Sequence, residues 1–160
     1  MVPSYGARMP FKQWDDTRRE LGRALERLAE GEFLILGEPV PVSLPRRGFL
    51  RRGRPAPTRY VQVLRVEDVL SAECVGATSL GGTWEMDPFT IKILRRMGWL
   101  TPTESAVAYG NSNPNFEQYV ERIGLPALAD VLVATLELLG AFPAELELET
   151  SGGSAIQASG

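Results

Sequence analysis

Residues 58–77, TRYVQVLRVEDVLSAECVGA, constrain the fold more than any other stretch of the chain. Val61, Gln62, Val63, Leu64 and Val66 supply the β-branched and apolar density of a strand that opens at Tyr60. Glu67 and Asp68 interrupt it with turn chemistry, and an extended pattern resumes from Leu70 to Ala77. Side chains alternate across a strand, so two faces can be read directly. One carries Val61 and Val63 with Ala72, Cys74 and Gly76, small partners that suit close approach by a helix. The other carries Tyr60, Gln62, Leu64 and Val66 with Ser71, Glu73 and Val75, and is neither clean core nor clean surface.

Such a hairpin needs a second layer, and the flanking segments supply helices. Trp14, Arg18, Leu21, Leu25 and Leu28 step by four and three along one helical stripe, with Arg18 half exposed and Gly31 closing the helix. A second helix is framed by Asp87 as N-cap, Pro88 at its first position and Gly98 just past its end. Ile91, Leu94 and Met97 share its buried face, and Trp99 follows as an anchor. The third runs over residues 126–139, where Leu128, Val131, Leu132, Thr135, Leu136 and Leu139 repeat at helical spacing before Gly140.

Phe33–Leu36 reads as a short strand, and the alternation of leucine and glutamate over 145–149 as another. Both are expected at sheet edges. Residues 101–124, with Pro102 and Pro114, read as irregular apart from a strand over 115–120. The order predicts an α+β fold, with helices packed on one face of a mainly antiparallel β-sheet. The face of Val61, Val63, Ala72 and Cys74 takes the helices. A single domain spans 11–149, between a mobile lead-in at 1–10 and a disordered tail at 150–160.

Composition narrows the chemistry. With no histidine, the chain can form no Ser-His-Asp or Cys-His pair and no His-ligated metal site. No phosphate loop or dinucleotide fingerprint is present, so neither enzymatic activity nor a cofactor nor a metal is expected. The one cysteine, Cys74, lies mid-strand on the small-residue face and reads as core. No apolar run approaches the ~20 residues of a membrane span, and a cytoplasmic location is expected.

The loudest charge feature is the run Arg46, Arg47, Arg51, Arg52 and Arg54, set in a proline-rich arm over residues 38–57. It supports an alternative reading as a nucleic-acid- or phosphate-binding adaptor. Against it stand the net charge of −3 and a simpler role, solvated arginines meeting acids such as Glu145, Glu147 and Glu149. Nucleic acid is therefore the less favoured partner.

A succession of short patterns carries a family likeness: Trp14, Leu21, Leu25 and Leu28 with Gly31, then YVQ at 60–62, Leu70, Glu73 and VG at 75–76. LRRMGW at 94–99, PNF at 114–116 and LADVLVATLELL at 128–139 continue it. Over roughly residues 11–148 the chain resembles the actinobacterial TY-Chap group, related to type III secretion chaperones and YbjN-like proteins. The resemblance implies a type III secretion chaperone-like α+β fold and a non-enzymatic, peptide-binding role, often as a homodimer. It also places Tyr60, Gln62 and Glu73 on the face opposite the helices.

Two readings of that mixed face follow. In one, Tyr60, Leu64, Val66 and Val75 offer apolar contact to an extended partner polypeptide while Gln62 and Glu73 bond its main chain. In the other, a second layer drawn from the 38–57 arm or from residues 101–120 covers the face as core.

Overall fold

Residues 13–39, 58–110 and 112–151 are described by the computed structural model, and they build a sheet with helices on both sides. The central hairpin forms as its pattern predicts. Strand β2 (Tyr60–Val66) pairs antiparallel with β3 (Val69–Cys74), setting Val61 opposite Cys74, Val63 opposite Ala72 and Gln62 opposite Glu73. Glu67 turns the corner at φ 56°, in the left-handed region that non-glycine residues avoid.

Strand β1 (Phe33–Gly37) pairs with β2, β4 (Phe116–Glu121) pairs with β3, and β5 (Glu147–Thr150) pairs with β1. All pairings are antiparallel, and the order across the sheet is β4-β3-β2-β1-β5. This corrects one expectation: β1 lies inside the sheet between β2 and β5, whereas residues 147–150 form the outer strand on that side among the described residues. The last strand also takes in Thr150, and the Ser151 hydroxyl accepts a 3.0 Å bond from the Phe33 N–H.

Helices α1 (Trp14–Arg27) and α4 (Leu125–Leu138) pack together on one face of the sheet. Leu21 and Leu25 from α1 and Leu128, Leu132 and Leu136 from α4 meet Leu34, Leu36, Val61, Val63, Leu70, Ala72 and Cys74 in one core. Arg18 stays exposed, as its place in the stripe predicts, and pairs with Asp15 and Asp130. Helix α1 stops at Arg27 rather than at Gly31, which instead takes φ 82° in the turn that leads to β1.

Helix α2 (Pro88–Arg96) has the expected start, the Asp87 carboxylate accepting from the Thr90 N–H at 2.8 Å. Trp99 is buried, its indole N–H donating to the Thr135 hydroxyl at 2.9 Å. That bond satisfies the one polar atom of a large apolar side chain and ties the α2 segment to α4.

Helix α3 (Pro102–Tyr109) was not anticipated in a segment read as irregular. It is held by a complete capping box, the Thr101 hydroxyl taking the Glu104 N–H and the Glu104 carboxylate taking the Thr101 N–H. Alternation puts Glu117 and Tyr119 of β4 on the face opposite the core, and α3 lies against them through Ser105 and Tyr109. The α+β architecture stands as expected, with one short helix across the sheet from the others. Residues 1–10, most of the 38–57 arm and the tail beyond 151 lie outside the described residues, so the expectations attached to them are carried no further.

Candidate functional site

The face of the sheet away from α1 and α4 can be read as rows running across the strands. One row runs Glu149, Ile35, Gln62, Glu73, Glu117, from β5 to β4. The next runs Phe33, Leu64, Ser71, Tyr119, and the last Val66, Val69, Glu121. Phe33, Leu64, Val66 and Val69 expose 39%, 37%, 49% and 38% of their surface, whereas Val61 and Val63 on the other face expose none. Four neighbouring apolar side chains are thus left open on β1, β2 and β3, with no described residue layered over them. Isolated exposed hydrophobes are ordinary on a protein surface; here four lie side by side on one face.

Gln62 lies beside this strip, and its side-chain amide makes no hydrogen bond to a described residue. Glu73 and Tyr60 are placed differently from their expected role. Asn115 gathers both, its Nδ2 donating to the Tyr60 hydroxyl at 2.9 Å and to Glu73 Oε1 at 3.1 Å. Its Oδ1 accepts the Gly76 N–H at 3.1 Å. Burial pushes the Tyr60 phenol above its ordinary pKa; the Asn115 bond opposes this and the Glu73 carboxylate adds to it. A Cβ at Gly76 would fall 2.0 Å from the Pro114 carbonyl oxygen, so only glycine permits this approach.

The short patterns at 60–62, 73–76 and 114–116, separated in sequence, therefore converge on one hydrogen-bonded node. That node closes the end of the open strip. Val75 is a correction: it is 1% exposed, lies past the end of β3 and donates its N–H to the Tyr60 carbonyl at 3.3 Å. It presents no apolar surface to a partner.

Sequence reasoning missed Glu117, a carboxylate only 5% exposed and paired across the strands with Glu73. Ser105 donates a very short bond to one oxygen, and Asn113 and the Tyr119 hydroxyl reach the other at 3.2 and 3.3 Å. Tyr109 packs against Tyr119 with the rings tilted by 59° and 4.6 Å between centroids. Helix α3 and Asn113 thus cover the β4 end of the face, so the reading in which residues 101–120 form a second layer holds for that end alone. The signal was present as Thr-Pro-Thr-Glu at 101–104, a capping box with proline at the first helical position.

At the end of the sheet where the 38–57 arm leaves and returns, Arg59 clamps several elements. It donates to Glu38 at 2.7 Å and to the Leu139 carbonyl at 2.7 Å, with its guanidinium 4.3 Å above the Trp84 ring. Arg46, Arg47, Arg51, Arg52 and Arg54 lie outside the described residues, so the phosphate-binding alternative gains no geometry. Cys74 is fully buried, and burial pushes its thiol well above the ordinary range. Among the described residues no group of three or more His, Cys, Asp or Glu side chains is placed to hold a metal ion. No helix among them is long and apolar enough to cross a membrane.

The profile of the family TY-Chap3, described as T3SS (YopN, CesT) and YbjN peptide-binding chaperone 3, matches residues 10–152. No curated protein and no solved structure matches the chain at a significant level.

Proposed function

The chain belongs to the TY-Chap3 family of peptide-binding chaperones, and from that premise we propose that it holds an extended polypeptide segment of a partner protein on the open strip of its sheet. The observation that carries this reading is the contiguous exposure of Phe33, Leu64, Val66 and Val69 beside Gln62, on a sheet whose other face is sealed. An extended segment laid there gains apolar contact from alternate side chains and a main-chain bond from the Gln62 amide. Tyr60 and Glu73, engaged by Asn115, act as the wall of the strip rather than as contacts. The role is one of binding and involves no catalytic step.

The test compares wild type with the Gln62→Ala/Leu64→Asp double variant in capture from the native host, read by mass spectrometry. Partners recovered by wild type and lost by a folded double variant support the site. The same partners recovered by both reject it. A homodimer belongs to the same proposal through the family likeness. A concentration-independent monomer mass across the micromolar range, by light scattering, rejects that part alone.

A further inference from the structure

The open face has a charge pattern as one-sided as its apolar strip. Glu121 lies at its β4 margin, and Glu147 and Glu149 lie at its β5 margin, since they pair with Val69, Gly37 and Ile35 of the same face. All three are exposed, and none makes an ion pair among the described residues. Glu73 adds a further carboxylate between the margins, bonded by the neutral Asn115 amide.

Among the described residues the sheet's basic side chains turn to the other side, and Arg95, which reaches the open side at α3, is already paired with Glu104. Arg65 is the one Lys or Arg in the five strands, and it turns toward the helices to donate to the Leu28 carbonyl at 2.8 Å. Arg59 likewise reaches the Leu139 carbonyl at the end of α4, and Arg122 donates to the Glu26 carbonyl at the end of α1. Helix α3 contains no Lys or Arg.

The geometry points to a basic occupant: a partner segment, extended across the strip, whose apolar side chains meet Phe33, Leu64 and Val69 while a Lys or Arg at each end meets the acidic margins. This rests on the peptide-binding reading above and specifies the chemistry of the peptide. Strands spaced ~4.8 Å apart and a four-residue offset along them put Glu149 and Glu121 about 23 Å from each other, and an extended chain at ~3.3 Å per residue covers that in about seven residues. Only every second side chain faces the sheet, so the matching pattern is basic-x-apolar-x-apolar-x-basic. Margin acids of one sign attract such a segment and repel an acidic one, which gives selectivity more than raw affinity.

The test uses the full chain and labelled peptides containing Lys-Ser-Val-Ser-Val-Ser-Lys, or the same sequence with Gln or with Glu in place of Lys, read by fluorescence anisotropy. The expected result is that the Lys peptide binds about tenfold or more tighter than the Glu peptide at low salt. The preference falls away near ~0.5 M salt and in the Glu121→Gln/Glu147→Gln/Glu149→Gln variant. These glutamines are exposed and close in shape to the glutamates, so the variant keeps its fold.

If Lys, Gln and Glu peptides bind alike and Leu64→Asp abolishes all three, the face binds peptides without regard to charge. The basic assignment is then overturned while the peptide-binding reading survives. If none binds, or Leu64→Asp changes nothing, both fail. If the Lys peptide binds only after residues 46–54 are deleted, the occupant is the chain's own arginine-rich sequence and the partner assignment is overturned.

Discussion

The two faces of the central sheet both carry apolar side chains and end in different states. On one, Leu34, Leu36, Val61, Val63, Leu70, Ala72 and Cys74 are at most 1% exposed beneath α1 and α4. On the other, Phe33, Leu64, Val66 and Val69 alternate with them along the same strands and keep 37–49% of their surface open. Apolar character alone does not decide which face becomes core. The covered face is apolar beneath the helices apart from Arg65, which bonds the Leu28 carbonyl, and Gln118 toward β4, whose buried amide nitrogen is left without a partner, so helices seal it at small cost. The open face mixes its apolar strip with Gln62, Ser71 and five glutamates, and sealing it would leave those groups without water or partners. Among the described residues its β4 end is the part that is closed, where α3 and Asn113 bond Glu117.

Paired truncation tests that contrast most sharply. Leu36→Ala on the sealed face should cost about 2–5 kcal/mol of stability, and Leu64→Ala on the open face less than about 1 kcal/mol, by urea denaturation. Comparable losses at both positions would mean the strip is core and would break the comparison.

The node at the end of the strip should be intermediate. Asn115→Ala removes bonds to Tyr60, Glu73 and Gly76 and should cost about 1–3 kcal/mol. If chemical denaturation shows no loss, the node does not organise that end of the face.

Helix α3 gives a pH test of the part of the open side that is covered. Arg95 donates two bonds to Glu104, at 3.1 and 2.6 Å, and with the Thr101 cap holds its pKa down at about 2. A depressed carboxylate stabilises the fold above its unfolded value of ~4.3, and that contribution is lost as the pH falls through about 2. Partial exposure of the pair keeps the effect small. Glu104→Gln should therefore lower the denaturation midpoint at pH 6, with the difference from wild type narrowing as the pH is taken toward 2. A difference that does not change with pH would remove the ion pair from the account of α3.

The smallest effect is expected at the turn that joins the two central strands. Glu67→Gly relieves a left-handed backbone at φ 56° and should stabilise by up to about 1 kcal/mol, the gain being offset in part by the freer unfolded chain. A melting temperature lower than that of wild type would show that the Glu67 side chain contributes more than its backbone costs.

Much of the sealed face was legible from the chain alone, because its signals are local. Period-two alternation set the register of Val61 and Val63 against Cys74 and Ala72, and Asp87-Pro88 marked the start of α2. The candidate site was legible in outline through Gln62, Leu64 and Val66 on the face opposite the helices. Val75 was misplaced because alternation was continued past Cys74, where the strand has already ended. Helix α3 was missed because Pro102 was taken as a breaker when it sits at the one helical position that needs no N–H.

What the sequence by itself determined is which residues share a face and where most helices begin. Both follow from side-chain geometry within a few residues of each position. Tertiary structure alone decided that β1 lies inside the sheet, that Glu117 is buried, and that Asn115 joins Tyr60 to Glu73 across 55 and 42 residues of chain. Those outcomes depend on strand order and on what is packed above each face. Such contacts form between segments far apart in the chain, and no local periodicity records them.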